Sequence, residues 1–153
     1  MRAPYPRMAS VTLDRVARIM PPTGADAVLR TWRAWEERDI DNVVSGMVPD
    51  VVHDLSHYEG FPGEPVNTGV GPALDSLAVW MAWWRGYRQE LVDTEENGNR
   101  VLLRVRQHGE RDGRAVDEPL ALLFYLDDEQ RITRWEPWSD VEAAQAALHA
   151  ESS

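Results

Sequence analysis

The sequence contains no cysteine, no lysine and only two phenylalanines. Without cysteine there are no disulfides, thiolate nucleophiles, zinc ribbons or iron–sulfur ligands, which fits a cytoplasmic protein. All 16 basic residues are arginine, set against 26 Asp and Glu, and the formal net charge of −10 argues against a nucleic-acid partner. Phosphate-backbone binding needs an excess of neutralising cations. The most apolar stretch, Pro119 to Leu126, is far shorter than the roughly 20 residues that cross a bilayer, so no membrane partner is expected. Met1-Arg2-Ala3-Pro4-Tyr5-Pro6 is followed by no apolar core of a secretory signal. No nucleophile elbow, phosphate loop or dinucleotide fingerprint occurs; Thr68-Gly69-Val70-Gly71-Pro72 lacks the spacing and the preceding strand. No cofactor is expected.

What is present suits one globular domain. The chain has 153 residues, 43% of them apolar and 27% charged, enough for a single buried core. Residues 1–9 read as a loose tail and 10–149 as the domain. Val11, Leu13, Val16, Ile19 and Met20 recur at near-helical spacing until Pro21-Pro22 stops them. Thr23-Gly24-Ala25-Asp26 has capping-box form and opens a second helix, ending near Arg38, with Val28, Leu29, Trp32 and Trp35 on one face. A short third helical piece carries Ile40, Val43, Val44 and Met47. Val51 to Leu55 reads as a strand, Ser56 to Gly71 as a long loop, and Leu74 to Trp84 as another helix.

From Tyr87 the period becomes alternating, with turn signals at Asn97-Gly98-Asn99, Gly109 to Gly113 and Asp127-Asp128-Glu129. Four strands are expected near 87–95, 100–108, 114–126 and 131–139, joined as a meander. Ser139-Asp140-Val141-Glu142 is a capping box for a closing helix. Helices first and hairpins afterwards give an α+β domain, with helices on one face of a curved antiparallel sheet.

Among the chemical groups, Trp32 with Trp35, and Trp80 with Trp83 and Trp84, share helix faces and can line an apolar cavity. Leu102, Arg104, Arg106 and His108 alternate onto one face of a strand. If that face is buried, the arginines need carboxylates such as Asp54 or Glu118, or an anionic ligand group. His53-Asp54-Leu55-Ser56-His57 looks like a metalloprotease motif with Asp for Glu. In an extended segment its histidines stand about 13 Å apart, too far for one zinc ion, so no metal is expected. Carboxylate, imidazole and guanidinium in a tryptophan-rich enclosure suit proton transfer or water activation.

Leu29-Arg30-Thr31-Trp32-Arg33-Ala34-Trp35-Glu36-Glu37-Arg38-Asp39-Ile40-Asp41 and Val48-Pro49-Asp50-Val51-Val52-His53-Asp54 resemble the SnoaL-like branch of the nuclear-transport-factor-like superfamily. So do Gly98 to Gly109, and Arg131-Ile132-Thr133-Arg134-Trp135 followed by Asp140. The resemblance covers roughly residues 24–148. It implies a cone-shaped α+β barrel with a pocket between helices and concave sheet, commonly a homodimer through the sheet's outer face. The family includes polyketide cyclases, ketosteroid isomerases, epoxide hydrolases and non-catalytic members.

Asp54 matches the isomerases' general base, but their oxyanion donors fall at Thr31 and near Leu122. Arg104 and Trp135 match an epoxide-hydrolase Arg and a pocket Trp, while the paired triad Asp positions hold Arg106 and Pro137. Glu136 and Asp140 are further carboxylates near the sheet's end. The resemblance thus implies cyclase- or isomerase-type acid–base chemistry on a polyketide-like or other apolar carbonyl compound. Its catalytic candidates are Asp54, Arg104, Arg106 and His53, with Trp32, His57, Tyr58, Trp80, Trp84, Leu122, Phe124 and Trp135 around the ligand. The alternatives are a non-catalytic module binding a small molecule or a protein, and an epoxide hydrolase with a rearranged triad.

Overall fold

Thr23 caps the first helix of the described residues, as its sequence predicts. Its hydroxyl accepts from the Asp26 amide at 3.1 Å, and the Asp26 carboxylate accepts from the Thr23 amide at 3.2 Å, so two otherwise unpaired donors are satisfied. The computed structural model describes residues 23–151, and the helix expected at Val11 to Met20 lies outside them. Helix α1 spans Gly24–Glu36 and buries Val28 and Trp32. It stops two residues before the expected end because Arg38 turns into the left-handed region, φ 59°. Asp39 then caps α2, Ile40–Ser45.

Strand β1 runs Met47–Asp54 and begins earlier than expected, because Met47 pairs with Ile132 instead of extending the helical face. The loop after it contains a three-residue strand, β2, Val66–Thr68, antiparallel to β1. Helix α3 follows at Val70–Trp83. The meander is then β3 Arg85–Asn97, β4 Arg100–Arg111, β5 Arg114–Leu126 and β6 Ile132–Trp138. Helix α4, Val141–His149, closes the described chain; Asp140, and not Ser139, is its cap, accepting from the Ala143 amide at 3.1 Å.

The strands form one open six-stranded sheet in the order β2-β1-β6-β5-β4-β3. All pairs are antiparallel except β1 with β6, so the cone is a curved mixed sheet with free edges and not a closed barrel. Alternation divides its residues between two faces. The inner face carries Val101, Leu103, Val105, Leu120, Leu122 and Phe124 in the main core with Val28, Trp32 and Trp80 of the helices and Trp84 just after α3. The outer face carries Leu102, Ala121 and Leu123, covered by Ala144 and Leu148 of α4. This is the α+β class expected, except that the helices do not share one face: α4 packs on the face opposite α1 and α3. No helix among the described residues is long and apolar enough to cross a membrane.

Candidate functional site

At the end of β1, consecutive residues point to opposite faces. His53 lies inside, fully buried, with its ring stacked 3.9 Å from Trp135. Its Nδ1 is 2.6 Å from Ser76 Oγ, and that hydroxyl gives its only proton to the Ala73 carbonyl at 2.7 Å. Nδ1 must therefore carry the ring proton and donate, which leaves Nε2 as a bare acceptor. Burial pushes the imidazole pKa down to about 3, against the smaller opposing effects of Asp54 and the Ala73 carbonyl. The ring is accordingly neutral at physiological pH. Neither His53 Nε2 nor Trp135 Nε1 has a hydrogen-bond partner among the described residues. Both rings line a cavity of about 30 Å³ whose wall includes Trp35, Trp80, Leu120 and Leu122, room for about one water molecule. No charged side chain lines it.

Asp54 lies outside. Arg134 donates through Nη2 to Asp54 Oδ2 and through Nε to Glu136 Oε2, the latter at 2.6 Å. The two carboxylate side chains are only 5% and 6% exposed, the Arg134 side chain 37%. His57 Nε2 is 3.7 Å from Asp54 and 3.9 Å from Glu136, and its ring stacks on Trp138 at 3.8 Å. Burial pushes the Asp54 carboxyl up, but hydrogen bonding by Ser56 and the charges of Arg134 and His57 outweigh it and hold the pKa below its ordinary value. Oxygen and nitrogen atoms of Asp54, His57 and Glu136 converge within 4.8 Å, a spacing compatible with a metal ion. The same two carboxylate oxygens, however, already receive the Arg134 protons, so a guanidinium supplies the cation there.

A polar chain crosses the interior beside the cavity. Trp32 Nε1 donates to Gln89 Oε1 at 2.7 Å, Gln89 Nε2 to Tyr87 Oη at 2.7 Å, and Tyr87 Oη to Gln107 Oε1 at 2.8 Å. Gln107 Nε2 donates to Glu118 and to Tyr58 Oη, Tyr58 donates to Glu118, and Arg111 donates to Tyr58. Arg111 is packed against Trp83 and Trp84, 4.3 and 4.6 Å from the ring centroids. Burial and the Glu118 bond push Tyr58 up to about 12.

The structure brings His53, Trp80, Leu122 and Trp135 together around the cavity, with Phe124 stacked behind Trp135. Trp32 reaches it through Gln89. Tyr58 belongs to the polar chain and Trp84 to the core. Asp54, His57, Arg104 and Arg106 are on the outer face. Arg104 pairs there with Asp93 and Glu95, and Arg106 with Asp117. The expected meeting of Asp54 with Arg104 and Arg106 in a tryptophan-walled interior is therefore corrected. Strand alternation turns all three away from the cavity, and Asp54 takes Arg134 as its guanidinium. Residues not singled out from sequence are Ser76, Gln89, Gln107 and Arg134. Only Arg134 had a local signal, its alternation with Trp135; the others depend on long-range contacts.

A family model described as a SnoaL-like domain matches residues 19–135. No curated protein matches the chain. TerC, crystallised with polyporic acid, is similar at 22% identity and TM-score 0.67, covering 83% of this chain and 98% of its own. A polyketide cyclase, so described with reservation, from Sinorhizobium meliloti has 24% identity and TM-score 0.58, with 78% and 96% covered. An LEH-like epoxide hydrolase from M. tuberculosis has 21% identity and TM-score 0.54, with 80% and 86% covered. At these identities the likeness establishes the fold.

Proposed function

The chain belongs to the SnoaL-like domain family, and from that premise we propose that it binds a small molecule on the inner face of its sheet, with His53 as polar anchor. The observation that carries this reading is the buried, unpartnered His53 Nε2 at a cavity otherwise walled by apolar groups, Gln89 and Trp135. An acceptor withdrawn from water without a partner costs about 1–3 kcal/mol, which a ligand donor recovers. The similar fold of TerC, crystallised with polyporic acid, supports small-molecule binding by this fold.

Acid–base chemistry of the cyclase or isomerase type is the second reading. Its support is the fixed tautomer of His53, which presents Nε2 as proton acceptor without rearrangement. Against strong basicity stands a pKa of about 3; against enolate stabilisation, the absence of any cation in the cavity lining. Binding is thus favoured over proton abstraction. An epoxide-hydrolase reading lacks a water-activating carboxylate in that lining. A homodimer and a cytoplasmic setting accompany the proposal, the first open to analytical ultracentrifugation.

A thermal-shift screen of neutral and charged small molecules, with product analysis on the hits, tests it. Hits are expected to stabilise the native protein and the Asp54→Asn variant alike and to fail on His53→Phe. Hits that depend on Asp54 and ignore His53 contradict the proposal; conversion of a hit by the native protein, lost in His53→Phe, favours the catalytic reading.

A further inference from the structure

The inner cavity is separated from the surface by very little. A groove of about 110 Å³ at the end of α1 is lined by Trp35, Glu36, Arg38, Tyr87, Arg88 and Gln89, and two of these, Trp35 and Gln89, also line the inner cavity of about 30 Å³. Gln89 is fixed at both ends of its amide by Trp32 and Tyr87. Trp35 is half-buried at the edge of the core. Over its ring lies the exposed Arg38 guanidinium, 4.5 Å from the centroid, which bonds the Trp35 carbonyl at 2.6 Å and reaches Met81 Sδ of α3 at 3.9 Å. Trp35 is thus the half-buried side chain shared by cavity and groove, and Arg38 lies across it. With Trp35 turned out, cavity and groove join into a space on the scale of the ~150 Å³ cavity that holds benzene.

The polar atoms at the closed end define what fits. His53 Nε2 can only accept, because Ser76 and Ala73 hold the ring proton on Nδ1. Trp135 Nε1 can only donate. The two rings are stacked, and both residues line the cavity. A hydroxyl satisfies both, giving its proton to the imidazole and accepting on oxygen from the indole. An ether satisfies the indole alone. A carboxylate meets the imidazole lone pair with no cation in the lining to balance its charge.

Building on the reading of this cavity as a ligand site, we infer that it takes a neutral hydroxyl compound about one aromatic ring in size, a phenol or a comparable alcohol. The hydroxyl lies between His53 and Trp135, and the ring fills the space that Trp35 vacates.

The test is titration of the intact protein with phenol, anisole and benzoate, followed in the ¹H–¹⁵N spectra of the indole N–H groups and imidazole nitrogens. Phenol is expected to shift Trp135 Nε1 and His53 Nε2 and to bind at least tenfold more tightly than anisole, with benzoate causing no shift at either. In His53→Phe, which keeps a stacked ring, phenol and anisole should bind within twofold of each other. In Trp135→Phe, a second variant that retains the stack, both should weaken by a similar factor. Trp35→Ala should tighten phenol without altering its preference over anisole. Equal binding of anisole and phenol, or benzoate binding best, overturns this assignment while leaving the cavity a ligand site. If phenol and the wider screen all leave the inner-face signals unmoved, the two groups merely share a structural water, and the binding proposal falls as well.

Discussion

His53 and Asp54 are neighbours in the chain, as are Trp135 and Glu136, yet the two faces they occupy have opposite chemistry. Inside, two stacked rings carry an acceptor and a donor without partners among the described residues, at a cavity lined by no charged side chain. Outside, two carboxylates, a guanidinium and an imidazole are matched to one another. Buried charge is tolerated only when paired, and the outer cluster meets that condition without any ligand. The inner pair is incomplete. A carboxylate at a strand end attracts a catalytic reading from its chemistry alone; here it already accepts from Ser56 and Arg134, while His53 Nε2 has no partner among the described residues.

The sharpest way to break this contrast is to remove its central cation. Arg134→Met leaves Asp54 and Glu136 buried side by side and should cost about 3 kcal/mol in urea unfolding at neutral pH, the low end for a broken buried pair because Arg134 itself remains more than a third exposed. Arg134→Lys should recover part of that loss, and the inner cavity should bind as before. A cost below 1 kcal/mol would mean the carboxylates are not held by this cation.

The pH dependence distinguishes the faces by the window in which each loses stability as pH falls. His53 has a folded pKa of about 3, below the roughly 6.5 of an unfolded histidine. The unfolded chain therefore binds the extra proton, and between those values stability falls as pH is lowered, by about 1.4 kcal/mol per unit. His53→Phe should remove that slope. For Asp54, also lowered on folding, the stabilisation is complete above the unfolded carboxylate value and lost as pH falls through the folded one. Asp54→Asn should therefore lower stability at neutral pH and flatten that acid limb.

Two smaller effects follow. Tyr58→Phe removes the hydroxyl shared by Arg111, Gln107 and Glu118 and should cost about 1–2 kcal/mol in thermal or urea unfolding. Arg104→Met breaks a solvent-side pairing with Asp93 and Glu95, so a change within about 1 kcal/mol is expected, with ligand affinity unaltered. A large loss of binding in Arg104→Met would return that guanidinium to the site.

Periodicity made the architecture legible. The shift from helical to alternating spacing at Tyr87, the Thr23 cap and the turn at Gly98 all correspond to observed elements. The alternation of Leu102, Arg104 and Arg106 was readable too, but which side that row occupies depends on where α1, α3 and α4 dock. The β2 strand was hidden because three residues carry no period. The parallel pairing of β1 with β6 joins segments about 80 residues apart, and it alone brings Asp54 to Arg134 and His53 to Trp135. Ser76, decisive for the imidazole tautomer, is an ordinary serine on a helix until α3 packs on β1.

The most direct test of the central claim is the ¹⁵N spectrum of the imidazole rings across pH 7 to 4, with and without phenol. His53 should remain neutral throughout, protonated on Nδ1 and bare on Nε2, and phenol should move its Nε2 signal while those of His57 stay in place. A His53 ring that titrates near its ordinary value or carries its proton on Nε2, or a phenol response confined to His57, would contradict the account.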